Sequence, residues 1–226
     1  MELLVFGHSG SPVLVFPARR GRFYDYENWG LVEALSDSIN RGFLQLFCVD
    51  SLDEETLYCR SNDYAARIER HNRYEHYILE EVLTFIRSVN TNEFLIAHGC
   101  SIGGYHAANI ALRHPRLFGK IVALSGRYDL TRAVGCYADL FDGHYSEDIY
   151  YHTPNHFVPN LTDTSILKQL RNLQVILAVG NEDYFFNSNA ELSDALSRKG
   201  VPSRLEIWDG KLHHPDAWRR MAPAYL

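Results

Sequence analysis

The chain has 226 residues, 46% hydrophobic and 22% charged, with a formal net charge of -6. That length suits one domain with a sizeable core, and an acidic balance without an Arg/Lys stripe predicts no nucleic-acid partner. No apolar run approaches the ~18 residues of a transmembrane helix. The opening MELLVFGHSG has Glu2 where a signal peptide would be basic, so the expectation is a cytoplasmic protein with no membrane partner. Cys48, Cys59, Cys100 and Cys136 lack any Cys-x-x-Cys spacing and are expected as reduced thiols.

In chain order, short apolar runs predict strands at Leu3–Phe6, Val13–Phe16, Leu44–Val49, Phe94–Ala97, Lys120–Leu124, Gln174–Val179 and Arg204–Trp208. Their Val, Ile, Leu and Phe content without polar alternation suits strands buried on both faces of a mostly parallel sheet. The turn-rich Gly7-His8-Ser9-Gly10-Ser11-Pro12 between the first two reads as an antiparallel hairpin at one edge. Helical stretches fall at Asn28–Asn40, Asp63–Val89, Ile102–Arg113, Ser188–Lys199 and Pro215–Ala222. In the longest, Ile68, Tyr74, Tyr77, Ile78, Val82, Phe85 and Ile86 recur near a 3.6-residue period. This alternation predicts one doubly wound α/β domain over residues 1–226, with helices on both faces. Thr131 to about Thr164, rich in Tyr, His, Asp and Pro, breaks the alternation and is expected as a cap-like excursion of loops and short helices. Its aromatic residues, Tyr137, Phe141, Tyr145, Tyr150, Tyr151 and Phe157, suit either a pocket lining or packing onto the core.

The sharpest local signal is Gly99-Cys100-Ser101-Ile102-Gly103-Gly104, a G-x-S-x-G pattern between a predicted strand and a predicted helix. That context marks a nucleophile elbow, in which a sharp turn exposes the serine hydroxyl. Glycine is needed at 99 and 103 because side chains there would collide across the turn. The Ile102 amide then opens the helix, where free N–H groups favour an oxyanion. Centring the elbow on Cys100 would put His98 and Ile102 at the glycine positions, so Ser101 is the candidate nucleophile.

The orienting acid is expected on the loop after a later strand, and Asp183 lies in Gly180-Asn-Glu-Asp183, directly after Gln174–Val179. Glu182 and Asp129 are alternatives. The candidate base follows the last strand in Leu212-His213-His214-Pro215. His213 is favoured over His214, which abuts Pro215 at a helix start. His71 and His76 read as surface or packing residues. His152 and His156 lack the companions of a metal cluster, so neither a metal nor any other cofactor is expected.

Through Gly99-Cys-Ser-Ile-Gly-Gly, Ala178-Val-Gly-Asn-Glu-Asp183 with the Ser188–Gly200 helix, and Trp208-Asp-Gly through Trp218-Arg-Arg-Met, the chain resembles the putative-esterase branch of the α/β hydrolases. That branch holds the esterase D-like hydrolases and the mycolyl acyltransferases; the chain looks most similar to its small bacterial cytosolic members. The resemblance implies the α/β-hydrolase fold and a His-Asp-Trp-x-x-Trp ending whose first histidine is catalytic. Counting back five from Trp218 gives His213, although His214 and Pro215 replace the Asp and Trp. It also implies a second oxyanion amide just after Val13–Phe16, which places it at Ala18 or Arg19. Arginines are unusual there. Arg19 or Arg20 would attract an anionic substrate if it faced the cleft, and Tyr105 is a further candidate for substrate binding.

The expected function is hydrolysis of a small-molecule carboxylic ester through an acyl-enzyme on Ser101. Acyl transfer by the same residues, and a binding protein that keeps the fold without activity, are the alternatives. Oligomeric state is not legible from the sequence.

Overall fold

A computed structural model describes residues 1–226. Seven strands form one sheet: β1 (Leu3–Phe6), β2 (Ser11–Phe16), β3 (Leu44–Val49), β4 (Ile96–Cys100), β5 (Lys120–Leu124), β6 (Gln174–Gly180) and β7 (Ser203–Trp208). They lie in the order β1-β3-β2-β4-β5-β6-β7, all parallel except β1. The antiparallel N-terminal edge strand is present, but its partner is β3, with Leu3 opposite Val49, rather than β2. The linker cannot close a tight hairpin because it crosses the start of β3: the Ser11 amide donates to the Phe43 carbonyl at 2.9 Å. Gly10, at φ +98°, passes so close that a Cβ there would lie 2.2 Å from the Phe43 backbone.

Alternate residues of each central strand feed separate cores on the two faces, as a side-chain period of two requires. Leu14, Phe16, Phe47, Ala97, Ile121, Ala123 and Leu177 pack beneath α4 (Tyr64–Tyr77), α5 (Leu83–Val89), α6 (Ile102–Arg113), α8 (Pro154–Asn160) and α10 (Phe186–Arg198). Val13, Val15, Leu46, Ile96, Val122 and Leu124 pack against α1 (Asp25–Asn28), α2 (Leu31–Ala34), α3 (Ser36–Asn40) and α11 (Pro215–Tyr225). Burying both faces explains why these strands read as unbroken apolar runs.

Two predicted helices are subdivided. The stretch expected at Asn28–Asn40 is the three short helices α1 to α3, with Gly30 at φ +72° between the first two. The long helix contains a π-helical turn at Ile78–Val82 between α4 and α5. Within the excursion lie α7 (Glu147–Tyr151), α8 and the start of α9 (Thr164–Leu170). Phe141 and Phe157 are buried in the packing, Tyr145 and Tyr151 are exposed, and Tyr137 reaches the cleft described below. No helix is long and apolar enough to cross a membrane.

Candidate active site

Ser101, Asp183 and His213 come from three loops at the carboxyl ends of β4, β6 and β7, the edge of a parallel sheet where ligands bind. Ser101 holds φ 57° and ψ -121°, a conformation an L-residue adopts only when its surroundings enforce it. Its amide donates to the Leu124 carbonyl at 2.8 Å, tying the turn to β5. The elbow is packed backbone on backbone. A Cβ on Gly99 would fall 2.3 Å from the Gly103 carbonyl carbon, and one on Gly103 would fall 2.3 Å from the Phe16 carbonyl oxygen.

His213 Nε2 lies 2.9 Å from Ser101 Oγ, and its Nδ1 lies 3.2 and 3.3 Å from the two Asp183 oxygens. A carboxylate only accepts, so Nδ1 carries the proton and Nε2 is left to accept from the serine hydroxyl. Burial alone would raise the Asp183 carboxyl. The hydrogen bond and charge of His213, the Phe185 amide at 2.9 Å and the Ser125 hydroxyl together hold it below the ordinary value. Ser125, itself at φ 53°, also accepts from Trp218 Nε1 at 3.3 Å. The rings of Trp218, Phe185 and Tyr137 surround the imidazole with centroids 5.4, 5.4 and 5.9 Å away.

The alternatives are engaged elsewhere. Asp129 interacts with Thr131, Arg132 and His156; burial opposes ionisation, but His156 and Thr131 hold it at about 2. Glu182 is exposed. His214 sits before α11, 4.0 Å from Asp216. Cys100 is buried in the apolar layer under β4, and burial pushes its thiol well up. His152 is buried against Asn72, Asn109 and Arg113, and His156 bonds Tyr145. His71 is buried and His76 exposed.

The loop after β2 places Ala18 and Arg19 along the same cleft as Ser101 and Ile102. The amides of Gly21, Arg20 and Arg22 bond Ala18 O, Asp53 and Asp25, whereas those of Ala18 and Arg19, the two residues of this loop that line the cleft, make no hydrogen bond. The buried Asp53 carboxylate braces this loop: Oδ2 accepts from the Arg20 amide at 3.1 Å, while Oδ1 faces His106 Nε2 of α6 at 3.1 Å. Two substrate-binding expectations are corrected. Arg20 is not among the residues that line the cleft, and its Nε lies 3.7 Å from the Glu54 carboxylate, which attracts it away from Ser101. Tyr105 is fully buried and donates to the His152 carbonyl at 2.9 Å, since its position on α6 faces the excursion.

The cleft has a volume of about 160 Å³ and is also lined by Tyr58, Arg127 and Tyr137. Larger concavities of about 420 and 490 Å³ lie elsewhere and include none of the three candidate residues. Size does not locate this site; the convergent polar groups do. Ser125, Asp53, Tyr58 and Arg127 were not singled out from the sequence. Ser125 and Arg127 stand directly after β5, where a site residue has reason to lie. Asp53 and Tyr58 carry no comparable signal.

A model of the family described as "Putative esterase" matches residues 26–220. No curated protein matches the chain by sequence. Among solved structures, a ferulic acid esterase superposes with a TM-score of 0.70 at 15% identity, over 96% of this chain and 83% of that one. An S-formylglutathione hydrolase from Agrobacterium tumefaciens gives 0.68 at 13% identity, over 96% and 83%. One from Staphylococcus aureus gives 0.63 at 18%, over 95% and 79%. These likenesses are likenesses of fold.

Proposed function

Since the chain belongs to the putative esterase family and is a carboxylic ester hydrolase of the α/β-hydrolase fold, we propose that it is a serine esterase acting through an acyl-enzyme on Ser101. The observation that carries this reading is the continuous contact from Ser101 Oγ through His213 to Asp183, on a serine held at positive φ.

In the proposed cycle the substrate carbonyl sits over Ser101 with its oxygen toward the Ile102 amide and a second amide from Ala18 or Arg19. As Oγ attacks, His213 Nε2 takes the hydroxyl proton, and Asp183 stabilises the imidazolium and fixes its tautomer. Charge moves onto the carbonyl oxygen, where fixed N–H donors need no reorganisation. His213 then gives the proton to the departing alkoxide, leaving an acyl-Ser101 ester. Water, deprotonated by the same nitrogen, attacks that ester and releases the acid and free Ser101. These steps use side chains and backbone amides throughout.

The direct test is rapid-quench mass spectrometry with a short-chain aryl ester. The reading predicts a transient gain of one acyl group on the peptide carrying Ser101, absent in Ser101→Ala. Hydrolysis that persists in Ser101→Ala would overturn it.

A further inference from the structure

The cleft beside Ser101 holds positive charge that ester hydrolysis itself does not use. Arg19 is exposed on its wall, with the guanidinium carbon 5.6 Å from the Tyr58 ring centroid. Its neighbours each have a carboxylate partner: Arg20 lies 3.7 Å from Glu54, and Arg22 pairs with Asp50 at 2.8 Å. Arg19 makes no ion pair. Arg127 lines the same cleft and is only 2% exposed. Its Nε and Nη2 donate to the carbonyls of Asp129, Leu130, Arg132 and Ala138. Carbonyls fix the guanidinium without forming an ion pair; Arg127 has no carboxylate at ion-pair distance, and Asp129 and Asp139 act on it only from further away. No Asp or Glu lines the cleft, in a chain that carries 28 of them and a net charge of -6.

A concave site walled by one sign of charge concentrates ligands of the other sign. A guanidinium with no internal partner, held beside the reacting centre, matches a carboxylate in a bidentate fork. The small volume, well below the ~300–1,000 Å³ of pockets for drug-sized ligands, gives the cleft room for a short chain beside Ser101. We propose that this cleft selects short esters that themselves carry a carboxylate near the scissile bond, with Arg19 binding that carboxylate and Arg127 adding fixed positive potential. The assignment rests on the ester-hydrolysis reading of Ser101 and adds the substrate class.

The test compares matched esters by proton release in a pH-stat: monomethyl succinate against methyl butyrate for an acyl-side charge, and O-acetylglycolate against ethyl acetate for an alcohol-side charge. Wild type should favour at least one charged ester over its neutral partner by about tenfold or more in kcat/KM, the scale of one charge-assisted hydrogen bond. The preference should shrink with added salt, because Arg19 is exposed. It should collapse toward unity in Arg19→Gln and survive in Arg20→Gln. Each variant's ratio is taken against its own neutral ester, so a general loss of rate from disturbing the loop cancels. A readout without turnover is protection: glutarate should slow fluorophosphonate labelling of Ser101 in wild type and not in Arg19→Gln. Labelling and neutral-ester turnover with no preference for the charged esters, or a preference unchanged in Arg19→Gln, would overturn the inference alone. A folded protein that neither labels nor turns over any ester would overturn the ester-hydrolysis reading beneath it.

Discussion

Acid should destabilise this protein well above the carboxylate range, because it folds around neutral histidines. His98, on β4 three residues before Ser101, is fully buried; its Nδ1 donates to the Val122 carbonyl at 2.7 Å and its Nε2 accepts from the Tyr26 hydroxyl at 2.8 Å. Burial lowers its pKa from 6.5 to about 4, with the Val122 carbonyl opposing and Lys120 adding to the shift. A folded value below the unfolded one means that the unfolded chain takes up the proton first. The contribution is therefore whole above pH 6.5 and is lost as the pH falls toward 4. The loss is about 3 kcal/mol by pH 4 and about half of that near pH 5.3. Burial, followed by the mutual repulsion that clustered histidines and Arg113 would impose on a charged ring, lowers His71 and His152 in the same direction. Urea unfolding at fixed ionic strength from pH 7 to 4 measures the slope. In His98→Gln, whose amide can donate to Val122 and accept from Tyr26, about 3 kcal/mol of that dependence should vanish. Stability that is flat from pH 6.5 to 4, or a slope unchanged in His98→Gln, would refute the reasoning.

Three substitutions probe the site from different sides. Asp183→Asn should cut kcat by about 10³–10⁴, since an amide no longer fixes the His213 tautomer; steady-state kinetics showing less than a tenfold loss would count against Asp183 as the orienting acid. Gly103→Ala puts a Cβ 2.3 Å from the Phe16 carbonyl oxygen and 2.6 Å from that of Pro17. It should cost about 1–3 kcal/mol by thermal or urea unfolding and lower the rate, as the displaced backbone leads into the Ala18–Arg19 loop. Asp53→Asn should lower kcat by about tenfold with little change in stability, because the amide still packs but braces the Arg20 amide more weakly; displaced oxyanion donors are costly. An unchanged kcat would show that Asp53 does not position that loop.

The fold was legible where packing on both sheet faces leaves one residue pattern open to the chain. Four of the five central strands, Val13–Phe16 and Gln174–Val179 among them, read directly from their apolar runs; β4 runs Ile96–Cys100 rather than Phe94–Ala97, because its second half, His98-Gly99-Cys100, is not an apolar run. The partner of β1 was not legible, because Leu3–Phe6 pairs equally well with any open edge, and the crossing over Phe43 is a long-range contact. Nor was the π-turn at Ile78–Val82, whose apolar spacing differs little from that of an α-helix. Around the site, Ser101, Asp183 and His213 stood out because each follows a strand. Arg127 was hidden: the segment Ser125-Gly-Arg-Tyr-Asp129 drew attention to its carboxylate, whereas the guanidinium became notable only once its carbonyl partners were in place. Tyr105 misled in the opposite way, since its place one turn after Ser101 gives no sign that it faces the excursion.

The most direct test of an activated serine is labelling with a fluorophosphonate, with the adduct mapped by peptide mass spectrometry. Rapid, stoichiometric modification of Ser101 that disappears in His213→Ala is the predicted result. A folded protein that stays unlabelled, or that is labelled at the same rate without His213, would contradict the account.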